Sequence, residues 1–196
     1  MMGKNIICIL VAYLLGGICT GYYLVRFKAK VDVRDHGSGG VGGRNVGRIL
    51  GRPGLFVTLF GDGLKGLLAV VLARLFGASD PAVSWVLVAV IAGHIWPLPL
   101  QFRGGRGIAT ATGAYLAYNP YLVLLLLGIT VLLLVFRRGF ILSGLAALLL
   151  LPPVAYALKV PTHTVVALAV ASAIILFAHR ERIRKAFGVA LPQREA

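Results

Sequence analysis

Charge and cysteine are both scarce in this sequence. Charged residues occupy 13 % of its 196 positions, about half the share found in an ordinary soluble domain. Acidic residues are the scarcer sign, six against 20 Lys and Arg. Polar stretches are few: 59 % of the chain is hydrophobic, which excludes intrinsic disorder. The only cysteines, Cys8 and Cys19, share one apolar run, a pattern that suits neither a disulfide framework nor a metal site. No histidine pair has zinc spacing, so no metal ion is expected. The nucleotide P-loop pattern is missing. Two Gly-x-Gly-x-x-Gly matches begin at Gly37 and Gly61, but neither belongs to a βαβ unit. No organic cofactor is indicated.

What the chain has in abundance is apolar sequence. A helix needs about 20 residues to cross the hydrocarbon core. Residues 5–25, 53–79, 81–102, 140–158 and 161–179 each supply such a run. The first is too long for the apolar part of a signal peptide and is followed by a basic loop, so it reads as a retained span. Residues 107–136 form a 30-residue uncharged run, long for one crossing and short for two.

Charge resolves that run. The formal net charge of +14 invites a nucleic-acid partner, but membrane topology also collects Lys and Arg on cytoplasmic loops. With six spans the basic residues divide ten to nine between the two sides. A break at Asn119-Pro120, a turn signal that disfavours helix at Asn119, gives seven spans and a division of 16 to three, with Lys65 inside the membrane. The expected fold is therefore all-α: a single domain, residues 1–196, folded as a polytopic bundle of seven transmembrane helices. Its N-terminus lies outside and its C-terminus in the cytoplasm. The fourth span, roughly 107–118, is too short to cross alone and needs protein or a water-filled cavity beside it. No nucleic-acid partner is needed.

Three basic segments then share the cytoplasmic face: 37–48, 102–110 and 178–185. The first two are rich in glycine and arginine, and the second runs into a helix N-terminus. Successive glycines let backbone N–H groups converge on an anion. A helix N-terminus adds partial positive charge, and arginine offers a planar fork to phosphate oxygens. The pattern points to a phosphate-bearing molecule held at the membrane surface, with two cradles for two anionic groups or one large one. Within the membrane, Asp62 and Lys65 are one turn apart and suit mutual pairing; Lys65 alternatively meets a substrate phosphate. His94, beside Pro97 and Pro99, reads as a hydrogen-bonded shaping residue. His179 stands among cations at the end of the last span and suits acid or base work.

In this order the segments resemble the PlsY family of bacterial acyl-phosphate:glycerol-3-phosphate acyltransferases. The carriers are Gly37-Ser38-Gly39-x-Val41-Gly42-x-x-Asn45-Val46-x-Arg48, Gly61-Asp62-x-x-Lys65-Gly66, and Gly93-His94-x-Trp96-Pro97. To these are added Phe102-x-Gly104-Gly105-x-Gly107-x-Ala109-Thr110 and His179-Arg180-Glu181 with Ile183. The resemblance spans essentially the whole chain. It implies transfer of a fatty acyl group from acyl phosphate to the 1-hydroxyl of glycerol 3-phosphate, giving lysophosphatidic acid and phosphate, the first step of phospholipid synthesis. It implies a bacterial inner-membrane location with the site facing the cytoplasm, and a monomer whose partners are acyl phosphate, glycerol 3-phosphate and membrane lipids. The His-x-x-x-x-Asp pair of the commoner glycerolipid acyltransferases is absent.

The resemblance puts Ser38, Arg48 and His179 in catalytic roles. The candidate substrate-binding set is Gly39, Gly40, Gly42, Arg44, Asn45, Lys65, Gly104, Gly105, Arg106, Thr110 and Arg182. Five motif positions depart from the family pattern: Gly40 stands for Asn, Gly43-Arg44 for Ala-Thr, Arg106 for Lys and Arg182 for Asn. The departures make the face more basic and open the choice of acceptor. The alternatives are a paralogue with another acceptor or a purely phospholipid-binding role, and an anion transporter.

Overall fold

A computed structural model describes residues 2–136 and 139–188. Arg137, Arg138 and Arg194, counted above on the cytoplasmic side, lie outside the described residues. Those residues form nine α-helices and no strand: α1 (Met2–Gly16), α2 (Thr20–Ala29), α3 (Gly43–Leu75), α4 (Asp80–Ile95), α5 (Ile108–Tyr118), α6 (Pro120–Leu134), α7 (Phe140–Ala157), α8 (Thr162–Ala178) and α9 (Arg180–Ala186).

The sequence explains where these helices break. The first apolar run, expected as one helix, is two helices separated at residues 17–19. The backbone groups released there are met by charges from α3. Lys65 Nζ donates to the Ile18 carbonyl at 2.7 Å, and Asp62 Oδ1 accepts from the Thr20 amide at 3.3 Å. Gly51, at φ 70° and ψ −169°, bends α3 just ahead of Pro53, so the long apolar part of that helix begins where the sequence places the second span. Pro97 and Pro99 stop α4 at Ile95, and the chain continues as a 3-10 turn over Leu98–Leu100. The expected interruption at residue 119 is present. Asn119 is extended, its Oδ1 accepts from the Tyr121 amide at 3.0 Å, and Pro120 opens α6.

Four stretches are long and apolar enough to cross a membrane: Met2–Ala29, Gly43–Leu75, Asp80–Leu100 and Phe140–Ala157. The pair α8 and α9, bent by 67°, supplies a fifth. Helices α6 and α5 have 15 and 11 residues, about 22 and 16 Å of helix against a hydrocarbon core of about 30 Å. The short α5 is backed by α3. A methyl on Gly66 would overlap the Thr110 carbonyl, and one on Gly113 the Gly63 carbonyl, so these glycines set the separation of the two helices. The carbonyls at the end of α5 are closed by Arg74, whose guanidinium donates to Ala117 O at 2.9 Å and Tyr118 O at 2.6 Å.

Helix α4 is the buried centre, packed by α1, α3, α5 and α8. Its Ser84 hydroxyl and those of Tyr118 and Thr164 form a chain with spacings of 3.0 and 2.6 Å. Phe56, Phe60, Leu124, Leu127, Val131 and Leu149 point outward and are exposed. In lipid such side chains need no cover, and backbone polarity is met within each helix.

Candidate active site

One cavity of about 1270 Å³ opens between α3, α5, the start of α7 and the loops that precede α3 and α5. Its wall combines polar and apolar residues.

The polar part is built first by residues 37–42. Gly37 and Gly39 have φ of 62° and 67°, which L side chains rarely adopt. A hub fixes this loop: Asn45, 2 % exposed. Its Oδ1 accepts from the Ser38 amide at 2.9 Å, and its Nδ2 donates to the carbonyls of Val33, His36 and Gly40 at 3.0, 2.9 and 3.0 Å. Arg34 joins the loop to the next segment. Its guanidinium pairs with Asp32 at 2.6 Å and donates to Leu100 O at 3.1 Å, and this pairing holds the Asp32 carboxyl below its ordinary range. Helix α3 then starts at Gly42 with no side-chain cap, and Gly42, Gly43 and Arg44 lie on the cavity wall.

The second loop, 103–107, is laid on the end of α4. The Gly104 and Gly105 amides donate to Ile95 O at 3.1 Å and His94 O at 2.9 Å. Gly107, at φ 85°, begins α5, again with no side-chain cap. Two uncapped helix N-termini thus face one cavity together with Arg44, Arg106 and Arg182, the arrangement a phosphate calls for.

His179 sits at the hinge, one residue past α8. It is 2 % exposed, and its Nδ1 lies 2.8 Å from Ile175 O. A carbonyl only accepts, so Nδ1 carries the proton and Nε2 keeps a lone pair. Arg44, Arg106 and Arg182 line the cavity beside it. The same cavity is also lined by Leu55, Leu59, Phe60, Leu67, Leu116 and Phe140, a surface suited to an alkyl chain.

Of the residues singled out from the sequence, Ser38, Gly40, Gly42, Arg44, Asn45, Gly105, Arg106, His179 and Arg182 meet at this wall. Arg48 stands behind Gly37, its Nη1 beside the position a Gly37 Cβ would take. Gly39 shapes the turn. Gly104 is pressed against the His94 carbonyl, leaving no room for a methyl. Lys65 is placed differently from the expected substrate contact. Its ammonium is engaged by Ile18 O at 2.7 Å, His94 Nδ1 at 2.8 Å and Asp62 Oδ1 at 3.0 Å. Three donors meet three acceptors, and none is left for a ligand. Thr110 is buried on α5, its hydroxyl without a partner among the described residues. The polar wall residues Asp62, His94 and Thr112 had no binding role in the sequence reading. The signal available for all three was polarity inside an apolar run.

The chain matches the family described as glycerol-3-phosphate acyltransferase over residues 6–188. It is 45 % identical over 181 residues to glycerol-3-phosphate acyltransferase 1 of Desulfitobacterium hafniense, covering 92 % of this chain and 90 % of that protein. It is 37 % identical to glycerol-3-phosphate acyltransferase of Clostridioides difficile, covering 92 and 90 %. Among solved structures it is similar to PlsY (YgiH), an integral membrane glycerol 3-phosphate acyltransferase, in its glycerol 3-phosphate form. That match has a TM-score of 0.84 and 30 % identity, covering 97 % of this chain and 96 % of the other. The lysophosphatidic acid form of PlsY matches with a TM-score of 0.81 and 29 % identity, covering 95 and 93 %.

Proposed function

Because the chain belongs to the glycerol-3-phosphate acyltransferase family, we propose that its cavity moves a fatty acyl group from acyl phosphate to the 1-hydroxyl of glycerol 3-phosphate, releasing lysophosphatidic acid and phosphate. The observation that carries this reading is the meeting of two uncapped helix N-termini and three arginines with an apolar wall in one cavity. Both reactants bear a phosphate, and one bears an alkyl chain.

In this scheme Arg44, Arg106 and Arg182 bind the two phosphates, with the amides of Gly42, Gly43 and Gly107 beside them. Ser38 and Arg48 complete the pocket on the side of the first loop. The acceptor hydroxyl attacks the carbonyl carbon, a new C–O bond forms, and the carbonyl π pair moves onto oxygen. His179 Nε2 takes the hydroxyl proton. Collapse returns the electron pair and breaks the bond to phosphate, which leaves with its bonding electrons. Phosphate departs readily, so the protein's main work is to position the reactants and stabilise charge. Asn45 acts through the shape of the loop. Lys65 acts through His94 and Asp62.

The topology we attach to this scheme has seven spans, with α5 and α6 as the fourth and fifth, in a bacterial inner membrane. The 16-to-three division of basic charge supports a cytoplasmic site, an outside N-terminus and a cytoplasmic C-terminus.

The test is purified protein with palmitoyl phosphate and glycerol 3-phosphate, read by phosphate release and by mass spectrometry of the lipid product. Lysophosphatidic acid is expected, and Ser38→Ala and Arg48→Ala are expected to abolish it. Turnover untouched by both substitutions would remove the assignment of the first loop. One observation favours a second reading, a different phosphorylated acceptor: Arg44 and Arg182 add cations at the mouth. A pool of phosphorylated polyols offered together separates the two readings by product mass.

A further inference from the structure

His94 lies on the wall of the cavity but has no part in the phosphate contacts described so far. It is 3 % exposed, whereas Ser38 and Arg44 are exposed and Arg106 is half-buried. It is thus shielded where those side chains are open. Its surroundings fix its tautomer. Lys65 Nζ is 2.8 Å from Nδ1, and an ammonium can only donate. Nδ1 accepts, and the ring proton sits on Nε2. Asp62 Oδ1 is 3.7 Å from Nδ1, too far for a hydrogen bond, and it faces the ammonium at 3.0 Å.

The Nε2 edge is turned toward Gly105. A methyl group there would overlap Nε2, so only glycine leaves that edge uncovered. Among the described residues Nε2–H has no hydrogen-bond acceptor. A donor on the wall of a cavity with no protein acceptor asks for a ligand atom.

Building on the acyltransferase reading above, we propose that His94 is a further catalytic residue, its Nε2–H donating to the carbonyl oxygen of the acyl donor. In an acyl phosphate the carbonyl carbon joins the phosphate, held at the arginine mouth, to the alkyl chain, laid along Leu55 and Leu59. A donor beside Gly105, the chain neighbour of Arg106, meets the oxygen of that carbon. When the acceptor hydroxyl attacks and the π pair moves to oxygen, the N–H faces a growing negative charge. When the intermediate collapses the pair returns and phosphate leaves. His94 keeps its proton throughout. Lys65 and Asp62 are positioning residues for it, which gives the Asp62-x-x-Lys65 pair inside the membrane a purpose beyond mutual neutralisation.

The experiment compares wild type, His94→Leu and His94→Gln in detergent with palmitoyl phosphate and glycerol 3-phosphate. Loss of one preorganised donor to a developing oxyanion lowers kcat by roughly 10²–10³. His94→Leu should show that loss with KM for glycerol 3-phosphate little changed. His94→Gln, which retains an N–H donor, should recover at least about tenfold of it. A purely structural histidine predicts parallel loss of kcat and thermal stability, with Gln no better than Leu. A second measurement needs no variant: ¹⁵N-histidine-labelled wild type is titrated with hexadecanoyl phosphonate, which keeps the carbonyl and cannot transfer its acyl group. The His94 Nε2–H proton should move downfield on binding. An unmoved resonance, or a folded His94→Leu enzyme at wild-type kcat, overturns the proposal while leaving the acyltransferase reading intact. Inactive wild type with both substrates would instead defeat that underlying reading.

Discussion

The Ser38 backbone amide donates to Asn45 Oδ1 at 2.9 Å, across seven residues of chain. This bond carries the first loop. It ties the turn bearing Ser38 to the opening turn of α3, and the same side chain's Nδ2 reaches three further carbonyls.

The two ends of Asn45 therefore matter differently. Asn45→Ala loses every bond of the hub. Asn45→Asp keeps the acceptor but turns an oxygen toward the carbonyls of Val33, His36 and Gly40. Both should lower kcat/KM at least about tenfold and destabilise by roughly 1–3 kcal/mol, the cost of stranding buried polar groups. Activity assays and thermal melts check this, and an Asp variant behaving as wild type would show that the Nδ2 bonds are dispensable.

Gly105→Ala tests the second loop. The methyl would meet the His94 ring, and loop or ring must shift, taking Arg106 with it. The expected outcome is a folded protein with activity reduced by about 10²-fold, a loss of the size produced by small misplacement of reacting groups. Near-normal turnover would mean that the loop has slack the packing does not suggest.

The α3–α5 contact is tested by Gly113→Ala. The new methyl would overlap the Gly63 carbonyl, and overpacking of this kind costs about 1–3 kcal/mol. A lower melting temperature is expected, with activity falling as the cavity wall parts. An unchanged melting temperature would deny that these glycines set the helix separation.

His179 gives a pH signature. The scheme needs it neutral, so kcat/KM should fall on an acid limb as the imidazole takes up a proton. A profile without an acid limb would separate His179 from the proton transfer.

Inorganic phosphate should raise the melting temperature of the wild-type protein, because a ligand of the folded state alone stabilises it by mass action. Arg106→Ala should need a higher phosphate concentration for the same rise. Equal shifts in both proteins would place the bound anion away from the second loop.

Much of this was legible in the chain itself. Apolar runs near 20 residues, separated by basic loops, announce membrane helices because a charged residue in hydrocarbon is costly. The Asn119-Pro120 interruption was readable because proline constrains the residue before it, and glycine with arginine at the loops marked anion chemistry. The sequence did not disclose that the first run breaks at residues 17–19. Gly16-Gly17 stands at the break, but glycine is also common within membrane helices, and the partners that satisfy the break come from α3.

The assignment of Lys65 shows the same division most clearly. One-dimensional spacing favoured pairing with Asp62; a phosphate was the alternative partner on paper. Only the three-dimensional packing brings His94, 29 residues away, and the Ile18 carbonyl, 47 residues away, to within hydrogen-bond distance. Composition and order thus determined that this chain enters a membrane and gathers arginine-rich glycine loops, because those follow from solvation and local backbone freedom. Tertiary structure decided which side chains face the cavity and which are consumed in holding it, because a hydrogen bond depends on ångström separations between residues far apart in sequence.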